Sequence, residues 1–183
     1  MNLLILGIII FFSIHLVLIS PPKNILINRL GENKYKGLFS LIALVGLLFI
    51  IYGFAHADFH PMWDPLPYSR EIALALMPIS MVLLVAANIQ TNIKRIIKHP
   101  MLIGILIWSF VHLIANGDLR SILLFASFGI YALIDIIFSK KILMIKDTEN
   151  FTITKDIIVV IIGLVAYTII IHFHQYIAGV EIF

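Results

Sequence analysis

The chain has 183 residues, of which 61% are hydrophobic and only 13% charged, with a mean hydropathy of +1.07. A soluble domain carries about 25% charged residues, so the composition points instead to an all-α integral membrane protein, read as a single domain over residues 1–183. The lack of cysteine excludes disulfides, zinc–thiolate sites, iron–sulfur clusters and cysteine nucleophiles, and the net charge of +3 is scattered over three loops, which argues against nucleic acid as a partner.

A spanning helix needs roughly 20 apolar residues. Six segments are predicted to meet this, at about 2–20, 37–55, 71–90, 100–116, 119–139 and 156–174. The first stops at Pro21-Pro22, which cannot continue a helix. It lacks a basic residue ahead of its apolar run and an A-x-A-like cleavage site, so it reads as a retained helix. The third contains Pro78, a predicted kink. The fourth opens on Pro100, the favoured first helical position. Asn116-Gly117 ends it, and Asp118 is placed to cap the fifth, so helices four and five form a tight hairpin.

The basic residues orient this bundle. Lys23, Arg29, Lys34 and Lys36 follow helix one; Lys94, Arg95 and Lys98 follow helix three; Lys140, Lys141, Lys146 and Lys155 follow helix five. Arg70 and Arg120 are the basic residues of the other side. The expectation is a bundle of about six transmembrane helices with three basic loops inside and both termini outward.

Histidine is the residue type that stands out in the apolar spans, because a polar ring in lipid costs free energy unless it has a partner. Of the seven histidines, His15 lies near the inner end of helix one, His99 at the inner start of helix four, and His112 toward the outer end of helix four. His56, His60, His172 and His174 fall at or beyond the outer surface. Thirteen residues separate His99 from His112, which places them about 20 Å apart along one helix and about 140° apart around it. They cannot ligate one metal, and each needs a partner on another helix. His99 also suits a capping role beside Pro100, and His112 and His15 suit hydrogen bonds to neighbouring groups, with Asp135 at a depth matching His15. Asp135 has the further option of reaching toward Lys140 or the headgroups. On depth alone His15 pairs more easily with His99, and His112 with His56 or His174. Neutral imidazole buried in a helical bundle is also a standard axial haem ligand.

The outer stretch "HADFHPMWDP" offers His56, Asp58, His60 and Asp64 as a divalent-metal cluster, but without the spacing of a zinc signature. An interfacial loop anchored by Trp63 and Tyr68 is the simpler expectation. No phosphate-binding glycine loop, G-x-S-x-G or H-E-x-x-H occurs.

Three stretches, "RLGENKYKGLFSLIALVGLLFIIYGF", "HPMLIGILIWSFVHLIANGDLRSILLFASFGIYALID" and "HFHQYIAGV", resemble in that order the NnrU family. The resemblance implies a multi-pass protein of the bacterial inner membrane, associated with nitrite and nitric oxide (denitrification) metabolism. That family is similar to the plant zeta-carotene cis–trans isomerase, a membrane haem b enzyme. "FSIHLVLIS" resembles the helix that carries one of its axial histidines, which falls on His15; "KHPMLIGILIWSFVHL" resembles the stretch that carries the other, which falls on His112. The isomerase has a thiol three residues before its second ligand, where this chain has Ser109. The resemblance therefore implies haem b held by His15 and His112, with Ser109 and Asp135 nearby, and nitric oxide, a carotenoid-like lipid substrate or respiratory reductase subunits as partners. Read by helical rise, His15 and His112 differ in depth by about 10 Å; only a haem lying fairly flat in the membrane bridges that, so the pairing the resemblance implies and the pairings that depth favours pull apart. A weaker likeness of "KHPMLIG" to isoprenylcysteine carboxyl methyltransferases is not matched by any S-adenosylmethionine motif after residue 138.

Overall fold

The computed structural model describes residues 1–18, 22–138, 151–179 and 182. Lys140, Lys141 and Lys146 lie outside them. The described residues form nine helices and no strand: α1 (Asn2–Leu18), α2 (Pro22–Leu30), α3 (Glu32–Ala55), α4 (Ser69–Ala86), α5 (Asn92–Ile97), α6 (Pro100–Ala115), α7 (Leu119–Phe138), α8 (Ile153–His172) and α9 (His174–Ala178).

Four of these helices, α3, α4, α7 and α8, are long and apolar enough to cross a membrane, and α1 and α6 are shorter apolar helices. The six apolar segments expected from the sequence are thus all helices. Many of their large side chains face outward, among them Leu41, Leu48, Ile51, Ile130, Ile161 and Val165. In water such a surface is a liability; against acyl chains it costs nothing. These are the dimensions and surfaces of a membrane protein.

The chain divides into two compact units, Met1–Leu66 with His112–Lys140 and Pro67–Val111 with Lys141–Phe183. In the first unit α1 and α3 lie against each other along most of their length. Leu4 meets Gly53 and Phe11 meets Gly46, so the two helices run antiparallel. Lipid gives helices no hydrophobic reason to associate, so close backbone approach supplies the attraction instead. A Cβ on Gly46 would stand 2.8 Å from the Phe11 nitrogen, which is why that position has none. α7 packs on both helices and buries Phe125 and Ala132.

The α6–α7 turn forms as its residues dictate. Asp118 accepts from the Ser121 amide at 3.2 Å and from its hydroxyl at 2.6 Å, capping α7. Asn116 folds its side chain back onto the His112 carbonyl at 2.8 Å. The outer loop is bound to this turn: the Met62 and Trp63 amides donate to the Gly117 carbonyl at 2.7 and 3.1 Å, and the Leu119 amide donates to the His60 carbonyl at 2.9 Å. A side chain at Gly117 would fall on the Trp63 carbonyl oxygen, so glycine is required there by close approach.

In the second unit α4 pairs with α8, and Gly163 rests on the Val82 backbone. Pro78 sits inside α4, which continues through it. The buried Ser80 hydroxyl donates to the Gly104 carbonyl of α6 at 2.8 Å. Asp156, buried in the first turn of α8, accepts from Asn92 Nδ2 at 2.6 Å and from the Ile93 amide at 3.1 Å. A carboxylate is thereby satisfied at an inter-helix junction, and it fixes α5 to the start of α8.

Candidate functional site

His15 is the best-defined of the histidines. Its Nδ1 lies 2.6 Å from the carbonyl oxygen of Phe11, one turn earlier on α1. A carbonyl only accepts, so Nδ1 carries the proton, and in the neutral ring the lone pair is left on Nε2. The ring stacks on Phe11 at 4.1 Å between centroids, and Phe39 of α3 and Tyr131 of α7 meet it edge-on at 5.1 and 5.8 Å. Phe128 closes the same cluster against Phe11 and Phe12, at 5.6 and 4.9 Å. Three helices of the first unit thus supply aromatic walls around one imidazole in a fixed orientation.

Asp135 is at the matching depth, but its hydrogen bond comes from the Tyr131 hydroxyl, at 3.2 Å, one turn earlier on α7. Tyr131 stands between the acid and the imidazole, and the direct His15–Asp135 pair does not form. The Phe11–His15 and Tyr131–Asp135 contacts are both i,i+4 pairs and readable from sequence. The convergence of Phe39 and Tyr131 on His15 is tertiary and leaves no local signal.

His112, in the last turn of α6, lies flat on Phe125 of α7, with centroids 4.5 Å apart and planes 28° apart. His15 and His112 both belong to the first unit and both pack on α7, through Tyr131 and Phe125. Six residues separate those two contacts, about 9 Å along the α7 axis.

The other candidates are placed as follows. His99 precedes α6, where its backbone carbonyl accepts from Ile103 at 3.0 Å, and it belongs to the second unit with His174 and the buried Ser109. His56 closes α3, its Nδ1 2.9 Å from the Tyr52 carbonyl oxygen and its ring stacked on Tyr52 at 4.0 Å; it is exposed, as is His60. Among the described residues no three His, Cys, Asp or Glu side chains group as a metal site, so the "HADFHPMWDP" loop does not assemble one. Its order comes from the clamp on Gly117. Nearby Arg120 lies over Phe54 and Phe59 and donates to the Ala57 carbonyl at 3.2 Å, holding the same loop from α7.

The NnrU family profile matches residues 3–182, essentially the whole chain. The chain belongs to the NnrU family. No curated protein and no solved structure matches it. The match covers both the His15 cluster and the His112–Phe125 pair.

Proposed function

We propose that this NnrU-family chain is a six-span protein of the bacterial inner membrane in which His15 and His112 would hold haem b, and that it serves nitrite and nitric oxide metabolism. The observation that carries the reading is the state of His15. Its Nδ1 proton is committed to the Phe11 carbonyl, leaving Nε2 as a bare donor among aromatic walls. Metal-bound histidines use the same arrangement, in which a carbonyl on the far nitrogen fixes the tautomer and raises ligand basicity. The donor chemistry therefore fits a haem iron. His112, packed on the same α7 helix about 9 Å along its axis, supports the second ligand at the depth that helical rise assigns it.

Bound haem would supply the redox and nitric-oxide-binding chemistry. The chain supplies the rest. Phe11 orients the His15 ring, Phe39 and Tyr131 flank it edge-on, and the Tyr131–Asp135 bond keeps a nearby acid engaged. The six-span topology counts α1 and α6 as crossing helices. At 16 residues α6 is about 24 Å long, short of a core of about 30 Å, a mismatch that bilayers absorb by local thinning. Lys23, Arg29, Lys34 and Lys36, together with Lys94, Arg95 and Lys98, support a cytoplasmic side for the connections after α1 and α4 under the positive-inside rule.

The test is the absorption spectrum of protein purified after expression with ample haem, for the native chain and for His15→Ala, His99→Ala and His112→Ala. A Soret band lost or shifted in His15→Ala and His112→Ala, and kept in His99→Ala, is expected. A native chain without a Soret band overturns the reading. One observation favours a second reading, an accessory subunit of a respiratory reductase with structural histidines. Exposed His56 makes the same bond to its own helix as His15 does. Unchanged spectrum and unchanged nitrite-dependent growth in His15→Ala and His112→Ala would select it.

A further inference from the structure

The segment that follows α3 forms a strap over the α6–α7 turn of the first unit. From 61 to 66 it reads Pro-Met-Trp-Asp-Pro-Leu. Pro61 and Pro65 have no amide N–H. The Met62 and Trp63 amides both donate to the Gly117 carbonyl, and the Leu66 amide donates to the Ile114 carbonyl at 2.9 Å. Five of these six positions therefore leave no amide open. In water a loop gains little from this, because the solvent satisfies a bare amide. In a water-poor layer an open amide is costly, and irregular backbone is tolerated there only where the protein supplies the partners.

With its backbone turned inward, the strap exposes Phe59, Met62, Trp63 and Leu66, each by 45% or more. These side chains continue from the apolar end of α3, where Ile51 and Tyr52 are exposed. Arg120 joins the two: its guanidinium lies over Phe54 of α3 at 5.1 Å and over Phe59 of the strap at 5.9 Å. That charge is met by the Asp118 carboxylate at 3.4 Å. Asp58 and Asp64 are exposed, which fits the level of the headgroups and excludes the middle of the bilayer. Depth agrees. α6 is about 24 Å long against a hydrocarbon core of about 30 Å. Thinning of the bilayer is one answer to that shortfall; an end built to sit below the surface is another. With Pro100 at one edge of the core, the far end of α6 lies about 6 Å inside the other, within the 5–10 Å or so that interfacial elements reach. The strap is fastened to that end.

We propose that the strap is a membrane-inserted element: Phe59, Met62, Trp63 and Leu66 sit among the first carbons of the acyl chains in the leaflet at that end of the bundle, and the strap covers the short α6–α7 hairpin there. The occupant of this surface is lipid, because the surface continues the lipid-facing side of α3. The inference rests on α3, α6 and α7 crossing the membrane and is independent of any haem.

The chain has two tryptophans, so Trp108→Phe leaves Trp63 as the sole reporter. The experiment is fluorescence quenching of this full-length variant in phosphatidylcholine vesicles. Lipid brominated near the headgroup end of the acyl chain should quench Trp63 at least twofold, and more than lipid brominated near the chain end. Acrylamide in the water should quench it several-fold less than it quenches free N-acetyltryptophanamide. The reference is a Trp63→Phe, Trp108→Phe, Ile130→Trp chain, whose reporter replaces an exposed residue within α7; brominated lipid should quench it too. Trp63 reached by acrylamide as freely as the free amide, with the α7 reporter still quenched by lipid, overturns the proposal and leaves the spans standing. Loss of lipid quenching at both reporters overturns the spans and the proposal together. A Trp63 that neither quencher reaches is covered by protein, a second copy or another partner, and overturns the lipid assignment. Stronger quenching from the chain end than from the headgroup end overturns the boundary depth.

Discussion

Two glycines of α3 give a test of how the His15 cluster is held. Gly to Ala inside a helix contributes about 0.8–1 kcal/mol of stability through propensity alone. At Gly37 nothing lies within 4 Å of the added Cβ, so Gly37→Ala should realise that gain. At Gly46 the Cβ would stand 2.8 Å from the Phe11 nitrogen and 3.0 Å from its Cα, both backbone atoms that no rotamer change can move. Restoring an ordinary contact of 3.4 Å requires α1 and α3 to part by about 0.6 Å at this point. Overpacking of this kind costs about 1–3 kcal/mol, so the clash outweighs the propensity and Gly46→Ala should be destabilising. At about 2–4 °C per kcal/mol for a chain of this length, thermal unfolding in detergent micelles, followed by tryptophan fluorescence, should show Gly37→Ala rising by a few degrees and Gly46→Ala falling by up to several. Phe11 is also the residue whose carbonyl orients His15, so Gly46→Ala should broaden or shift any spectroscopic signal of that ring and Gly37→Ala should not. A Gly46→Ala chain as stable as Gly37→Ala would refute the α1–α3 register and, with it, the placement of His15.

Two further changes probe the junctions that position the helices. Asp118→Ala removes the α7 cap on Ser121 and the carboxylate 3.4 Å from half-buried Arg120, and should cost about 1–3 kcal/mol by the same thermal assay; an unchanged melting temperature would mean the cap is not formed in the bilayer-like environment. Asn92→Ala removes the side chain that bridges Phe151 and Asp156, leaving the buried carboxylate with the Ile93 amide, and hydrogen exchange by mass spectrometry should show lost protection over residues 151–157, with no change at the start of α4. Protection unaltered at 151–157 would show that another group holds the α8 start.

The apolar helices were legible because such a segment is a matter of length and composition: all six are apolar, and four of them are also long enough to cross a membrane. So were the start of α6 at Pro100 and the Asp118 cap, whose signals lie within four residues of the feature they set. The short helices α2, α5 and α9 were not, since nine residues or fewer with mixed polarity show no readable period. The partner of Asp135 shows where the reading of depth stops. Helical rise placed Asp135 level with His15, and both do lie on Tyr131, but rise says nothing of rotation about the axis. The acid turned to its own helix and the tyrosine took the place beside the imidazole. The Gly117 clamp was equally hidden, because the loop residues it holds are more than fifty positions away in the chain.

His15 and His56 make the point about function that neither helix alone would. Each donates Nδ1–H to the carbonyl four residues back, and each stacks on the aromatic ring at that position, at 4.1 and 4.0 Å. Locally they are the same motif, an aromatic residue followed by histidine one turn later. What separates them is what the other helices bring. At His15 α3 and α7 add Phe39 and Tyr131, which meet the ring edge-on and leave it part-buried. At His56, at the end of α3, the ring is exposed and water satisfies Nε2 at no cost. The same local motif is therefore enclosed by two further helices in one place and is an exposed helix-end contact in the other. Since the α1–α3 glycine register brings Phe39 to His15, that close helix contact is a condition of the site as well as of the fold.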